Sequence, residues 1–401
     1  MTTRVLIVTT NYPRWESDPH SPWLVELLGY VRQHDVQVEV HVPAYAGSQD
    51  HVIDGVQVHR FRYAPAPWET LTHEDGAPAK IARNPLYLFL LPIYLLAGSW
   101  TVWRLARKGN FDIIHVQWPM PQGLFGLVAQ WAGGGRLVAT FHGSELQLTR
   151  RFAWTKPMLG YFVQRCAAIS VNSSYTAGIL TSLFGVTPAI IPFGASPVQM
   201  AGARPVLTEP GLILTVARLI ERKGIDYLLQ ALALIADLPE AHLVVVGEGI
   251  EHANLERLAQ DLGLADRVQF TGRLSREPVH EWYQRCQVFV LPSTLDRTGD
   301  TETLGVVSLE AMLYAKPVIA SRVGGIPDVV RHAETGLLVP EKDAQALAQA
   351  LRTLLTDPAL AQQYGRAGQE RLQSHFSWDA IVAKTLTLYD IPHPQPNGTK
   401  G

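Results

Sequence analysis

The chain has 401 residues, of which 47% are hydrophobic and 17% are charged, and its formal net charge at pH 7 is −2. This length allows two ordinary domains, and the apolar fraction excludes a disordered chain. The small net charge gives no electrostatic reason to expect a nucleic-acid partner.

Short apolar runs alternate with helical patterns along the chain, and each run predicts a strand. The predicted strands of the first half are residues 4–8, 36–42, 56–61, 113–116, 137–141, 168–171 and 189–191. Those of the second half are 212–216, 242–246, 268–270, 288–291, 317–320 and 336–339. Strands that alternate with helices form parallel sheets covered on both faces. The predicted fold class is therefore α/β, with two doubly wound Rossmann-like domains facing a cleft.

Composition predicts the limits of these domains. Residues 194–210 are rich in proline and glycine and show no periodicity, which predicts a linker. We therefore expect an N-terminal domain over 1–196, a C-terminal domain over 206–376 and a loose tail over 391–401.

The N-terminus predicts a first strand rather than a signal peptide, and the cysteines predict neither a disulfide framework nor a metal cluster. Both features favour a cytoplasmic protein.

Residues 86–103 form a stretch of eighteen residues without a charge, and basic residues flank it on both sides. The length reaches the lower limit of a transmembrane helix, but Pro92 would kink such a helix and the following strands would lie across the membrane. Two interpretations stay open: a buried helix that covers the sheet, and a helix in the membrane interface. The second makes residues 80–108 a peripheral contact on the inner face of the cell membrane.

A basic turn follows the first strand of the second domain, in the string LTVARLIERKG from Leu214 to Gly224. Arg218 and Lys223 lie there after the carboxyl end of the strand, and two cations at this position suit a diphosphate. The alternative is a solvated basic turn that binds no ligand.

A strand, a polar loop, a helix over 305–315 and another strand follow one another between residues 288 and 322. The start of such a helix points free N–H groups at an anion. Glu302 precedes the helix and Glu310 lies within it, eight residues later. One carboxylate would face a ligand over the helix start, and the other would reach the hydroxyls of a ribose. The alternative is a capping Glu followed by a surface Glu.

The same segment resembles a known family. The strings ETLGVVSLEAM, AKPVIAS and GGIPDVV resemble the E-x7-E signature of retaining, nucleotide-sugar-dependent glycosyltransferases with the GT-B fold, of the group 1 or family 4 type. The basic turn is similar to the R-L-x-x-x-K-G string of that family. The eight-residue loop 294–301 is similar to that of bacterial surface-polysaccharide transferases.

The resemblance implies a reaction. A hexose-type sugar would pass from a UDP-, GDP- or ADP-sugar to a glycan, lipid-linked or small-molecule acceptor, without a cofactor. The resemblance also implies that the anomeric configuration is retained. No carboxylate is apparent for the opposite face of the sugar, so we expect the acceptor to attack the face that the leaving group occupies, with a phosphate oxygen of the leaving group taking its proton. The resemblance also implies that a helix over 377–390 returns to the first domain.

The resemblance assigns roles to individual residues. Arg218 and Lys223 bind the diphosphate, Glu302 binds sugar hydroxyls and Glu310 binds the ribose. His142, in the string FHGSE, acts beside the transferred sugar. Further donor-side candidates are Gly247, Arg273, Leu274, Thr303, Leu304, Gly305, Val306, Asn172 and Ser173. Acceptor-side candidates are Asp18, Ser21, His115, Trp118 and Glu145. For His115 and Trp118, packing is the preferred interpretation.

The chain departs from the family pattern at three places. The loop after the first strand contains no glycine between Asn11 and Gly29, where the family usually has Gly-Gly. Thr303 stands where glycine is usual, and threonine disfavours a positive φ. Gln117 stands where the family often has histidine. The first two departures leave the donor preference open.

We expect no metal site. No D-x-D motif follows an apolar strand, no His/Cys cluster has metal spacing, and Asp296 and Asp300 alone approach a cation-binding pattern. The two cations of the basic turn and the helix start at Gly305 would then stabilise the leaving diphosphate, as Mg²⁺ does in other transferases.

Other functions share these residues. An epimerase or hydrolase of the same fold would use Arg218, Lys223 and Glu310 in the same way. A non-catalytic scaffold would bind the nucleotide sugar without turnover. A phosphorylase would require a Schiff-base lysine for pyridoxal phosphate, and no lysine stands out for that role.

Overall fold

A computed structural model describes residues 2–16, 18, 21–73, 77–195 and 207–392. Most of the predicted linker and of the predicted tail lies outside these residues. The chain divides into two compact units. The first contains Met1–Asn172, Thr176–Ile191 and Trp378–Gly401, and the second contains Ser173–Tyr175 and Pro192–Ser377.

The first unit is built on a sheet of eight strands. They are β1 (Thr3–Val8), β2 (Val36–Pro43), β3 (His51–Ile53), β4 (Val56–Phe61), β5 (Ile113–Gln117), β6 (Arg136–Phe141), β7 (Ala168–Val171) and β8 (Ala189–Ile190). Their order is β3-β4-β2-β1-β5-β6-β7-β8. All neighbours are parallel except β3 and β4. The central strand β1 is an apolar run whose residues Val5 to Val8 are fully buried, as a strand covered on both faces requires.

Helices cover this sheet. They are α1 (Pro22–Val31), α2 (Ala77–Arg83), α3 (Leu90–Gly109), α4 (Pro119–Gly133), α5 (Ser144–Arg151), α6 (Lys156–Val163) and α7 (Ser174–Phe184). Short 3-10 turns lie at Ala66–Trp68, Pro85–Phe89 and Ala153–Thr155.

The second unit has a fully parallel sheet of six strands. They are β9 (Leu212–Val216), β10 (His242–Val246), β11 (Val268–Gly272), β12 (Val288–Leu291), β13 (Val318–Ser321) and β14 (Gly336–Val339). The helices are α8 (Ile225–Ala233), α9 (His252–Asp261), α10 (Arg276–Arg285), α11 (Val306–Leu313), α12 (Ile326–Val329), α13 (Ala344–Thr356) and α14 (Pro358–His375). The order β11-β10-β9-β12-β13-β14 reverses between β9 and β12. Ligands of doubly wound sheets bind at such a reversal, beyond the carboxyl ends of the strands.

The last helix, α15 (Trp378–Leu388), belongs to the first unit. Its Trp378 Nε1 donates to Glu26 Oε2 on α1 at 2.8 Å, and Ile381 and Leu386 are buried in the core of the first unit. The helix predicted over 377–390 is therefore present and returns to the first unit.

Every predicted strand occurs, within two residues at each end. The prediction of two doubly wound Rossmann-like domains is confirmed. The strand β3 was not predicted, because only one of its three residues is buried and so short a run has no recognisable alternation.

The charge-free stretch forms the 3-10 turn Pro85–Phe89 and most of α3. Tyr94, Gly98, Val102 and Ala106 on α3 are buried. Large apolar side chains on the same segment are exposed: Leu86, Leu88, Phe89, Ile93, Leu96 and Trp100. The buried-helix interpretation therefore accounts for one face only. By length and composition alone, Pro85–Gly109 is long and apolar enough to cross a membrane, the one such helix in the part of the chain that the structure describes.

Candidate functional site

The loops after β9 and β12 meet at the reversal of strand order in the second unit. Thr294 N donates to Arg222 O at 2.8 Å, and Arg222 Nη1 donates to Thr301 O at 3.0 Å. Gly224 has a φ of +62°, and a Cβ placed on it would lie 2.1 Å from Pro292 O. Only glycine allows this approach of the two backbones.

Lys223 and Glu302 form an ion pair across these two loops, between Nζ and Oε2. Their side chains are only 12% and 15% exposed. Burial raises the pKa of Glu302, but the charge and hydrogen bond of Lys223, the charge of Arg222 and the Gly305 N–H together hold that pKa below its ordinary value. The site therefore presents an ionised carboxylate and an ammonium at the carboxyl end of the sheet.

Arg218 lies in the turn after β9, and its side chain is exposed. The glycine turn after β10 packs closely against this backbone. A Cβ on Gly247 would lie 1.8 Å from Ala217 O, and one on Gly249 would lie 2.1 Å from Leu219 O. Gly247, a predicted donor-side residue, therefore supports the turn that carries Arg218.

The helix α11 begins after Gly305, which has a φ of +85°. In this turn the left-handed conformation belongs to Gly305, and Thr303 does not adopt it. This explains how a threonine fits where glycine is usual. Leu304 beside it is buried, and Val306 is half-buried. Among the residues that the structure describes, no side chain caps the start of α11.

Glu310 is held by a buried phenol. Tyr283 on α10 donates its hydroxyl to Glu310 Oε2 at 2.8 Å, and the ring of Tyr283 stacks on that of Tyr314 at 5.8 Å between centroids. Burial raises the pKa of Glu310, although the bond from Tyr283 opposes this shift.

Two glycines that the sequence analysis did not select support the Glu302 loop. A Cβ on Gly324 would lie 1.8 Å from Glu302 O, and one on Gly325 would lie 1.9 Å from Thr303 O. Gly325 N also donates to Glu302 O at 3.0 Å. In the sequence, the two adjacent glycines after β13 could have indicated this contact, because glycine often marks a site where two backbones approach closely.

Two further donor-side candidates follow β11, at the same edge of the sheet. Arg273 is exposed, and Leu274 packs against the core of the second unit. Ser173 is fully buried and is grouped with this unit.

His142 follows β6 in the first unit and is buried. Its Nε2 lies 2.8 Å from Gln117 Oε1. Its ring lies 4.2 Å from that of Trp118 and 5.4 Å from that of Trp23, between centroids. Burial lowers the pKa of His142 to about 3, and proximity to His115 contributes, so the ring is neutral at pH 7.

Glu145 and Asn172 hold the backbone of His142. Glu145 Oε1 accepts from His142 N at 2.7 Å, and Asn172 Nδ2 donates to His142 O at 3.3 Å. Burial raises the pKa of Glu145 to about 7, although hydrogen bonds from backbone N–H groups and Ser144 oppose the shift.

Of the remaining acceptor-side candidates, Asp18 and His115 have structural partners. Both carboxylate oxygens of Asp18 accept from Arg14, at 2.7 and 2.9 Å. Ser21 precedes α1 with a φ of +53°. His115 is buried and lies 2.6 Å from the hydroxyl of Tyr389, an arrangement that suits its packing interpretation.

Asp296 organises its own loop. Its Oδ1 accepts from Thr298 N at 2.8 Å, from Thr298 Oγ1 at 2.7 Å and from Asp300 N at 3.0 Å. Within the described ranges, no group of three or more His, Cys, Asp or Glu side chains is placed to hold a metal ion.

Two family models match the chain. The model for glycosyl transferases group 1 matches residues 203–371, and the model for glycosyltransferase family 4 matches residues 23–197. Together they cover most of both units.

Similar proteins are found over nearly the full length. The GDP-mannose-dependent alpha-(1-6)-phosphatidylinositol monomannoside mannosyltransferase of Mycobacterium tuberculosis is 32% identical over 95% of this chain and 96% of its own. The sucrose-phosphate synthase of Thermosynechococcus elongatus has a TM-score of 0.74 at 24% identity, over 97% of this chain and 98% of its own. HepE of Anabaena, solved in complex with UDP, has a TM-score of 0.71 at 19% identity, over 96% of this chain and 100% of its own. The two solved structures share the fold.

Proposed function

The chain belongs to the GT-B glycosyltransferases of the group 1 and family 4 type, and we propose that it transfers a hexose from a nucleoside diphosphate sugar to a lipid-linked acceptor. One observation carries this proposal. A cationic turn, an ionised carboxylate and an uncapped helix start meet where the strand order of the second unit reverses. This combination suits a ligand with both phosphates and sugar hydroxyls.

In the proposed complex the donor lies over the second unit. Arg218 and Lys223 bind the diphosphate, Glu302 accepts hydrogen bonds from sugar hydroxyls and Glu310 accepts from the ribose. Stabilising the charge that grows on the leaving diphosphate is the largest requirement of this chemistry. The cations supply that stabilisation, so we propose that the reaction is independent of a metal ion.

We propose that the anomeric configuration is retained. The acceptor oxygen forms a bond to the anomeric carbon while the bond from that carbon to the phosphate oxygen breaks. The acceptor's proton passes to the same phosphate oxygen, so no protein base is required. His142 in the first unit acts beside the transferred sugar as a neutral ring.

A lipid acceptor is favoured by the helical layer of α3, α4 and α6. Besides the exposed face of α3, this layer and its connections expose Trp131, Trp154, Met158 and Tyr161. Residues 77–166 contain ten Lys and Arg but two Asp and Glu, a net charge of +8 in a chain of −2. Apolar side chains among excess cations bind anionic bilayers. We therefore propose that this layer holds the protein on the inner face of the cell membrane.

The first experiment is thermal stabilisation by a panel of UDP-, GDP- and ADP-sugars, with and without EDTA. GDP-mannose heads the panel because it is the donor named for the Mycobacterium tuberculosis relative. We expect a selective rise in Tm that EDTA does not alter, since a ligand that binds only the folded protein stabilises it. The absence of a Tm shift with every donor would contradict the proposal, whereas a donor that raises Tm but is never turned over would favour the scaffold. An altered sugar released without an acceptor would favour the epimerase or hydrolase.

A further inference from the structure

A chain of hydrogen bonds runs through the interior of the first unit and ends beside its last helix. His142 Nε2 lies 2.8 Å from Gln117 Oε1, and Gln117 Nε2 lies 3.1 Å from His115 Nε2. His115 Nδ1 in turn lies 2.6 Å from the Tyr389 hydroxyl. All four side chains are buried, so water does not compete for these bonds.

The orientation of the Gln117 amide, with Oε1 toward His142 and Nε2 toward His115, sets where the histidine protons lie. The oxygen of Gln117 only accepts, so His142 must carry its proton on Nε2 and its lone pair on Nδ1. The nitrogen of Gln117 only donates, so His115 Nε2 must accept and His115 Nδ1 donates to Tyr389. Thr140 Oγ1 lies 2.7 Å from the same nitrogen of His115 and 2.6 Å from Ser170 Oγ, which extends the network.

We propose that Gln117 is a positioning residue that holds His142 as the neutral Nε2–H tautomer, in one ring orientation, for glycosyl transfer. The catalytic part of this inference rests on the proposed function of His142, whereas the tautomer rests on the hydrogen bonds alone. Positive charge develops on the anomeric carbon as the donor bond breaks, and an imidazolium beside it would repel that charge. A neutral ring of defined orientation avoids this cost.

An amide is better suited to this task than the histidine that often occupies the position of Gln117 in the resembling family. A histidine loses its acceptor nitrogen when it is protonated, and a carboxylate would favour the charged form of His142. The amide stays neutral at every pH of interest and keeps its acceptor oxygen. The low pKa of the buried His142 ring is consistent with this arrangement.

Nitrogen NMR of the full-length protein labelled with ¹⁵N-histidine tests the tautomer without any substrate. The His142 signals are assigned from their loss in His142→Gln. We expect a pyrrole-type signal for Nε2 and a pyridine-type signal for Nδ1 near neutral pH. A pyrrole-type Nδ1, or an imidazolium, would overturn the inference.

Substitution separates positioning from mere packing. Gln117→Leu removes both hydrogen bonds at similar volume, and we expect mixed His142 tautomers, a kcat about tenfold lower and a donor KM within about twofold. Gln117→His restores an acceptor, so it should recover most of the single His142 tautomer and most of the wild-type kcat. The control is Gln122→Leu, a second fully buried glutamine, whose Nε2 donates to Tyr94 at 2.8 Å.

We expect Gln122→Leu to lower Tm about as much as Gln117→Leu while leaving the His142 tautomer and kcat unchanged. Equal losses of kcat in the two variants, or an unchanged tautomer in Gln117→Leu, would contradict positioning. Failure of the proposed function appears differently, as a wild-type protein that transfers no sugar from any donor while the NMR result stands.

Discussion

Lys223 Nζ and Glu302 Oε2 form an ion pair between the loops after β9 and β12. The two residues were assigned to different parts of the donor, the diphosphate and the sugar. Their contact means that neither side chain is positioned independently. Glu302 holds the Lys223 ammonium in place before the donor arrives, so less side-chain entropy is lost when the donor binds.

We expect Lys223→Ala and Glu302→Ala each to lower kcat/KM by about a hundredfold while the protein stays folded, because the first removes a cation from the leaving diphosphate and the second removes the acceptor for the sugar hydroxyls. The double variant should be little worse than either single variant, because the paired residues act together. Steady-state kinetics and circular dichroism check both points. The matched control is Glu221→Ala, which breaks the exposed pair with Arg297 beside the site. A normal kcat/KM in either single variant would show that the substituted residue is not required for transfer.

Gly224→Ala tests the approach of the two loops. We expect a loss of donor-induced thermal stabilisation, because the new Cβ would lie 2.1 Å from Pro292 O and push the loops apart. Gly263→Ala is the control, since Gly263 has a φ of +69° with no atom within 4 Å of the added Cβ. The control should cost about 1 kcal/mol of stability from backbone conformation alone and leave the donor response intact. Identical donor responses in the two variants would show that loop approach does not matter.

The stability of the first unit should depend on the ionisation of Glu145. Burial raises its pKa from 4.5 to about 7, so between these values the unfolded chain loses this proton before the folded chain does. The contribution of Glu145 to the free energy of unfolding is therefore largest below pH 4.5. It falls as pH rises to 7, by at most about 3 kcal/mol.

Glu145→Gln removes this ionisation and keeps an acceptor oxygen for His142 N. Thermal unfolding from pH 4.5 to 8 should show the variant gaining stability relative to the wild type as pH rises. Glu240→Gln, at an exposed carboxyl of the second unit, is the control and should show no such trend. Parallel pH curves for wild type and Glu145→Gln would contradict the burial argument.

The membrane proposal predicts that charge on the exposed face of α3 weakens bilayer binding. Leu96 and Trp100 are 72% and 58% exposed, so the double variant Leu96→Glu, Trp100→Glu should fold normally. We expect it to bind anionic vesicles about tenfold more weakly in co-sedimentation. The control carries Glu at Leu234 and Ile250, exposed apolar residues of the second unit. The wild type should bind neutral vesicles only weakly. Equal binding to neutral and anionic vesicles would contradict the proposed attraction between the basic residues and anionic lipid.

The sequence by itself determined every described strand except β3, the class of the two sheets and the loops that carry the candidate site. Apolar periodicity reports whether a residue faces a core, and that is a local property. Arg218, Lys223 and Glu302 lie in loops between a strand and a helix, where ligands of doubly wound sheets bind, and the resemblance to the glycosyltransferase family assigned their roles.

Only the tertiary structure decided which of these residues meet. Lys223 and Glu302 are 79 residues apart, and His115 and Tyr389 are 274 apart. Their pairing depends on strand order and on the return of the last helix, and local patterns carry neither. The same holds for α3, whose apolar composition did not distinguish a buried face from an exposed one. Burial is a relation between elements, so it becomes defined only when they pack together.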